Sequence, residues 1–147
     1  MTIKPTTPFI AATIALLLCG CTLFTSHYDA TRLENFTHLK AIHLKLFHDW
    51  TADSTKAWNA AEIQQYCESG DLAFWQAFEF AKSKERSDQT GQKAITILWD
   101  EFTANCGLLI KRQKLFSTVF RDELLPQIEQ NYDYAIQGEL TRVNAPQ

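Results

Sequence analysis

Apolar side chains recur every three or four residues along most of this chain, a spacing that places them on one face of an α-helix. Three such stretches follow one another, at about 31–50, about 56–85 and about 90–140. No stretch shows the strict alternation typical of a half-buried strand. The pattern therefore predicts an all-α fold, a small bundle of three or four helices. Its candidate core residues are Phe36, Leu39, Phe47, Trp50, Phe74, Phe78, Phe102 and Phe116.

Polar residues predict where the first two helices begin. Thr31 and Glu34 have the spacing of a capping box, in which the two residues satisfy each other's backbone N–H groups. The first helix is therefore expected over about 31–50. Ser54 or Thr55 is the expected N-cap of the second helix.

Two residues are expected to disturb the later helices. Gly70 predicts either a kink or a helix end, and Asp71 would cap the helix that follows such an end. Pro126 removes a backbone hydrogen bond and opposes helical geometry in the residue before it. The last stretch is therefore one long helix kinked at Pro126, or two helices broken between about 112 and 126.

The N-terminal segment has the features of an export signal. Lys4 precedes an uncharged apolar run over residues 9–18, which has the length of a signal-peptide core. A membrane-spanning helix needs about 20 such residues. The run ends in Leu18-Cys19-Gly20-Cys21, which resembles the lipobox of bacterial lipoproteins. An uncleaved membrane anchor and a buried core helix are the alternatives.

The lipoprotein resemblance implies how the chain is processed and where it resides. Residues 1–20 would be removed as a signal peptide, and the thiol of Cys21 would carry the lipid, with further acylation such as palmitate on its amine. Residues 21–30 would tether a helical domain, 31–142, that ends in a frayed tail, 143–147. Because Thr22 is not Asp, the resemblance implies the periplasmic face of the outer membrane in a Gram-negative host.

The two remaining cysteines bear on how the second and third stretches pair. In an antiparallel helix hairpin, the numbers of facing residues add to a nearly constant total. Cys67 with Cys106 and Phe74 with Phe102 give nearly the same total, and its centre predicts a hairpin around residues 86–90. An exported protein can form a Cys67–Cys106 disulfide. Two free buried thiols, or a redox or metal-binding pair, are the alternatives.

Composition and motifs argue against several classes of function. The formal charge is −3 without a basic stripe, so we expect no nucleic-acid partner. His38, His43 and His48 are five residues apart, and each turns about 140° from the one before on a helix, which predicts surface histidines rather than a metal site. Phosphate-binding and serine-hydrolase motifs are absent, so we predict no cofactor and no enzymatic activity. An active site assembled from residues distant in sequence is the alternative.

Aromatic residues outside the inward stripes provide the candidate contact surface. Trp58, Trp75 and Phe80 do not follow the spacing of the core positions, and large aromatic residues are enriched in protein interfaces. We therefore expect these three residues to contact a partner. The resulting hypothesis is a membrane-anchored envelope lipoprotein that acts as a helical protein-interaction module and binds another envelope protein. A helical carrier or sensor of a small apolar or lipidic ligand is the alternative.

Overall fold

The structure is a computed structural model that describes residues 28–84 and 89–143. Those residues form four helices, which confirms the all-α prediction and gives the larger of the two expected helix numbers. The helices are α1 (Ala30–Asp49), α2 (Ala60–Ser83), α3 (Gln89–Arg112) and α4 (Thr118–Val143). The predicted signal peptide, the lipobox cysteine Cys21, the hairpin tip and most of the predicted tail lie outside the described residues.

Each helix runs antiparallel to the next along the chain, so the four helices make an up-down-up-down bundle. The contacts between α2 and α3 and between α1 and α4 are the most extensive. Helix α1 also packs against α2, whereas α3 touches α4 and α1 along shorter seams. The start of α1, the ends of α2 and α4 and the start of α3 therefore lie at one end of the bundle, which we call the tether end.

The helix starts differ from the predicted caps. Asp29 caps α1, since its side chain accepts a hydrogen bond from Thr31 N at 3.0 Å. Asn59 caps α2 and accepts from the backbone N–H groups of Ala61 and Glu62 at 3.1 and 3.2 Å. The capping roles predicted for Thr31 and for Ser54 or Thr55 were therefore wrong, because another polar residue lies nearer to the first helical turn.

The segment between α1 and α2 is held against the α3–α4 connection rather than extended into a helix. Phe116 N donates to Trp50 O at 2.9 Å and Ala52 N donates to Phe116 O at 2.8 Å, around an isolated parallel bridge between Thr51 and Phe116. These backbone bonds compete with helix formation in residues 50–59. They explain why α2 begins later than its apolar spacing predicts.

Helix α2 continues through Gly70, so neither a helix end nor an Asp71 cap occurs there. A Cβ atom at Gly70 would overlap the ring of Phe102 on α3. The glycine therefore allows close approach of the two helices. Asp71 instead accepts a hydrogen bond from the indole Nε1 of Trp99 at 2.7 Å.

The chain breaks after α3 and not at Pro126. Gln113 follows Arg112 with a φ of 52°, the left-handed conformation that commonly ends a helix. Ser117 Oγ accepts from Phe120 N at 3.1 Å at the start of α4, which then runs through Pro126 to Val143. The exposed proline is accommodated within a single helix.

The core lies along the centre of the bundle and confirms seven of the eight candidate core residues. Phe78 is the exception, because it is only partly buried and packs at the edge of the core. The buried apolar residues form one continuous cluster that includes both cysteines. The fully buried aromatic side chains are Phe36, Phe47, Trp50, Phe74, Phe102, Phe116 and Tyr132.

Candidate functional site

A groove between α3 and α4 is the candidate functional site. Small residues face each other across the seam, Gly91 and Ala94 on α3 and Ala135 and Gly138 on α4, and they leave a volume of about 310 Å³. Phe36 of α1 lies at the floor of this α3–α4 groove. Its lining is mostly apolar, so the groove accepts an apolar group better than a charged one.

Two large side chains stand at the rims of the α3–α4 groove. Ile97 on α3 is 53% exposed and Tyr134 on α4 is 66% exposed. Gln130 Nε2 donates a hydrogen bond to the Tyr134 hydroxyl at 2.8 Å, which holds the ring on the surface. Exposed aromatic and aliphatic residues beside an apolar cleft are typical of protein-binding surfaces.

Charge is unevenly distributed around the α3–α4 groove. The α3 rim carries Lys93 and Glu101, and Asn131 Nδ2 on α4 donates to the Glu101 carboxylate at 3.2 Å. On the α4 rim, which is the face of α4 that carries Tyr134, the exposed side chains between Gln127 and Thr141 are uncharged, and Arg142 follows at the tether end. Asp133 is exposed on another side of α4, where it pairs with Lys40 of α1. Depletion of charge around an aromatic residue is the compositional signature of a protein interface. The side chains of this uncharged rim are Gln127, Gln130, Asn131, Tyr134, Gln137 and Thr141, together with Gly138.

A buried ion pair fixes α4 against α1 where the α3–α4 groove reaches the tether end. Arg32 Nη1 lies 3.3 Å from Glu139 Oε1, and both side chains are less than 5% exposed. Arg142 Nη1 donates to the same oxygen at 2.7 Å. Shared hydrogen bonds of this kind offset the cost of burying the charges, so the pair orients the two helices.

One of the fully buried polar residues is a histidine, against the prediction that the histidines lie on helix surfaces. His43 is fully buried among α1, α3 and α4. Its Nε2 lies 3.1 Å from Asn105 Nδ2, and its Nδ1 lies 3.1 Å from the Tyr132 hydroxyl. With the Asn105 amide oriented in this way, Nε2 accepts, and the neutral ring donates from Nδ1 to Tyr132. His38 and His48 are exposed, as predicted.

The surroundings of His43 suit a structural role and not proton transfer to a substrate. Burial lowers the pKa of His43 to about 4, so the ring is neutral at neutral pH. Burial also raises the pKa of Tyr132 above its ordinary value. Because neither side chain reaches solvent, no substrate can approach this hydrogen-bonded chain.

A charged crevice at the far end of the bundle contains the arrangement nearest to a catalytic dyad. His48 Nδ1 lies 2.9 Å from Asp49 Oδ1, beside a crevice of about 590 Å³. Burial alone would raise the pKa of Asp49, but hydrogen bonds from His48, Lys45 and Lys56 outweigh it and hold the pKa at about 2. The Asp49 carboxylate is therefore ionised at neutral pH and held in these ion pairs.

The basic side chains of the charged crevice are paired with acidic ones. Arg121 Nη1 donates to both carboxylate oxygens of Asp53, at 2.8 and 2.7 Å, and Lys56 bonds Glu62 as well as Asp49. Ser54 Oγ donates to the Lys56 carbonyl at 3.4 Å and is not directed at His48. Among the described residues, the dyad thus lacks the hydrogen-bonded nucleophile that acyl transfer requires.

Cys67 and Cys106 form a disulfide that joins α2 to α3, with their Cα atoms 6.0 Å apart. The pairing agrees with the predicted hairpin register, as does the contact of the Phe74 and Phe102 rings, whose centroids are 5.2 Å apart. Both cysteines are buried. The bond therefore joins the two helices nearer to the open end of the hairpin than to the connection between them.

The structure does not bring the three predicted contact residues together. Trp75 is 50% exposed on α2. Trp58 is partly buried against the core, and its indole Nε1 lacks an acceptor in the described part of the chain. Phe80 is partly buried beneath Lys84, whose Nζ lies 4.8 Å from the ring centroid. Phe80 lies near the end of α2, whereas Trp58 precedes its start, so about 30 Å of helix separates them.

Sequence reasoning missed Ile97 and Tyr134, the two residues that stand at the α3–α4 groove. Both fall outside the inward stripes, as Trp75 does, so the same criterion could have selected them. The signal that distinguishes them is the small residues one turn away, such as Ala94 and Gly138. That signal has meaning only once α3 is known to face α4.

Among the described residues, the α3–α4 groove is the main candidate site. None of the four helices combines the length and apolar character needed to cross a membrane. Within residues 28–84 and 89–143, no three His, Cys, Asp or Glu side chains cluster in a way that suits a metal ion. No protein-family model, no curated protein and no solved structure matches this chain.

Proposed function

We propose that this protein is a cell-envelope lipoprotein, anchored through Cys21, whose helical domain binds another envelope protein through the α3–α4 groove. The observation that carries the proposal is the exposure of Ile97 and Tyr134 beside an apolar groove with one uncharged rim. A side chain as large as Tyr134 gains free energy when a partner covers it.

The rest of the domain supports binding rather than catalysis. Its buried aromatic side chains fill the centre of the bundle, and its buried histidine bonds to Asn105 and Tyr132 rather than facing a cleft. The exposed apolar pair on α2, Leu72 and Trp75, lies among Glu68, Asp71 and Glu79. Because charges must lose water when a partner covers them, the α3–α4 groove is the better contact surface.

The proposed anchor is consistent with access to the α3–α4 groove. Helix α1 begins nine residues after Cys21, a span of about 30 Å when fully extended. The tether end of the bundle would therefore stay within about 30 Å of the membrane. The groove runs along the side of the bundle and stays open to a partner in the periplasm.

The anchor is tested by the intact mass of the protein extracted from host membranes, with thiol alkylation before and after reduction. We expect the mass of residues 21–147 plus acyl chains, with two alkylated sites only after reduction. The Cys21→Ser variant is the control and should retain residues 1–20 without acyl chains. A full-length, unlipidated wild-type protein would contradict the anchor.

The binding surface is tested by replacing single residues with a photo-crosslinking amino acid in living cells. We expect one discrete crosslinked species from position 97 and from position 134, and none from position 72, an equally exposed position on α2. Positions 58, 75 and 80 test the contact surface predicted from the sequence. Crosslinks from those three positions alone would contradict the assignment to the α3–α4 groove.

A small apolar or lipidic ligand is the second candidate occupant of the α3–α4 groove. Its volume of about 310 Å³ lies at the lower end of the range for small-molecule sites, and its lining is apolar. Native mass spectrometry of the protein extracted from membranes would detect such a ligand as a constant added mass. Protein free of ligand in every preparation would contradict this second function.

A further inference from the structure

We propose that the protein seated on the α3–α4 groove is a second copy of this chain, related to the first by a two-fold axis parallel to the helices. This inference rests on the proposed function, because the membrane anchor determines the relative direction of the two copies. Both copies would stand on the same membrane with their tether ends towards it.

The rims of the α3–α4 groove suit a two-fold interface. Such an interface uses the same patch on both copies, so the two rims of that patch must fit each other. One rim presents the exposed aliphatic side chain of Ile97, and the other presents the exposed aromatic ring of Tyr134.

The register of α3 against α4 supports the same arrangement. The hydrogen bond between Glu101 and Asn131 and the contact of Arg112 with the Phe120 ring show which levels of α3 and α4 correspond. Ile97 then lies at nearly the same height as Tyr134. A parallel two-fold axis places α3 of one copy opposite α4 of the other, so Ile97 of each copy meets Tyr134 of the other.

The charged α3 rim of one copy is complementary to the uncharged α4 rim of the other. At the same levels, Lys93 would face Gln137 and Thr141 of the second copy, and Glu101 would face Gln130. Amide and hydroxyl groups can accept from the lysine or donate to the carboxylate. The uncharged α4 rim thus lets two identical surfaces approach without bringing like charges together.

The tether argues against the opposite arrangement of the two copies. An axis perpendicular to the helices would place the two tether ends at opposite ends of the dimer. They would then be separated by at least the length of α3, which has 24 residues and extends about 36 Å. For helices that stand upright on the membrane, the eight residues between Cys21 and α1 span about 30 Å, too short for the anchor of the inverted copy to reach that membrane.

The test uses the full chain in host membranes, expressed as two differently tagged copies that carry a single added cysteine. Gln127→Cys and Thr141→Cys place the thiol near opposite ends of the uncharged rim, 14 residues and about 21 Å apart. With a bismaleimide crosslinker, we expect each variant to give a dimer that contains both tags. Leu72→Cys, exposed on α2, is the control and should give none.

The amount of crosslinked dimer also reports how much Ile97 and Tyr134 contribute to the interface. Ile97→Glu or Tyr134→Glu in the Thr141→Cys background should reduce the dimer by about tenfold or more, because each buries a charge at the centre of the interface. Leu72→Glu should leave the dimer unchanged. Since these residues are exposed, the substitutions leave the core intact.

Three outcomes would overturn the proposal. Absence of dimer from both cysteine variants shows that a second copy does not occupy the groove. Dimer only from a mixture of Gln127→Cys with Thr141→Cys shows an antiparallel pair. A photo-crosslinked species at position 134 that contains one tagged copy and a different protein would refute the dimer while supporting the proposed function.

Discussion

Gly70 shows how one residue determines the distance between two helices. Its missing side chain leaves room for the Phe102 ring, and a Cβ there would also lie 3.3 Å from Ile42 Cγ2 on α1. The ring cannot simply move away, because His43 and Phe74 contact it, with ring centroids 5.3 and 5.2 Å from its own. Gly70 is thus enclosed by three helices.

We predict that Gly70→Ala lowers the free energy of unfolding by up to about 2 kcal/mol. Overpacking costs about 1–3 kcal/mol, and the better helix propensity of alanine offsets about 1 kcal/mol of it. Gly107→Ala is the matched control, because a Cβ at that mid-helix position meets no atom within 4 Å. It should raise the free energy of unfolding by up to about 1 kcal/mol.

Urea unfolding monitored by circular dichroism measures both glycine variants under the same conditions. Equal stabilisation by the two alanines would show that the Phe102 ring yields freely and that the close approach has no energetic role. The prediction thus separates the packing role of Gly70 from the general cost of glycine in a helix.

Single residues were the hardest features to predict from the sequence. Gly70 has the same local signature whether it ends a helix, bends it or admits a neighbouring ring, because the deciding atoms belong to Phe102 on α3. His43 likewise looks like a surface residue until Asn105 and Tyr132 are brought to its two ring nitrogens. The structural roles of Gly70 and His43 both depend on contacts between residues distant in sequence.

Among the elements, the α2–α3 hairpin was the most predictable. Helical spacing alone pairs Cys67 with Cys106 and Phe74 with Phe102, because two regular helices joined by a short connection have only a few registers. The start of α2 was predicted too early, and the break after Arg112 was one of two alternatives that the sequence left open. They depend on the backbone bonds between Trp50 and Phe116 and on the conformation of Gln113.

The disulfide leads to a prediction about the α2–α3 hairpin. It closes a loop with a sequence separation of 39, which restricts the unfolded chain and contributes up to about 4 kcal/mol of stability. We expect Cys67→Ala/Cys106→Ala to lower the free energy of unfolding by about 2–4 kcal/mol without reductant. Reductant should destabilise the wild-type protein similarly and should leave the double variant unchanged. A wild-type protein insensitive to reductant, with its two thiols free in the unfolded state, would contradict the prediction.

The α3–α4 seam could not be predicted, although both helices were. Apolar spacing identifies the face of each helix that turns inward, but it does not say how closely two neighbouring helices approach. Here Gly91, Ala94, Ala135 and Gly138 leave a groove where larger residues would have filled the seam. The candidate site is thus a property of the pair of helices and of neither helix alone.

At the scale of the whole molecule, His43 joins three of the four helices through one side chain. It belongs to α1, its Nε2 bonds Asn105 on α3, and its Nδ1 bonds Tyr132 on α4. In the unfolded chain, water surrounds the His43 ring and its pKa is near 6.5. Burial lowers this pKa to about 4 in the folded protein. The unfolded state therefore binds a proton more readily than the folded state, and falling pH must favour unfolding.

We predict that the free energy of unfolding falls by about 3 kcal/mol between pH 6.5 and pH 4, as measured by urea unfolding across that range. The ion pairs of Asp49, whose pKa is lowered from 3.8 to about 2, are lost only below that window, so the two effects separate. His43→Gln should be less stable at pH 7 because the bonds to Asn105 and Tyr132 are disturbed, yet it should lose much less stability towards pH 4. His38→Gln, exposed on the same helix, should keep the wild-type pH dependence. If the stability of His43→Gln instead followed the wild-type dependence on pH, the loss of stability in acid would come from surface carboxylates and not from the buried His43.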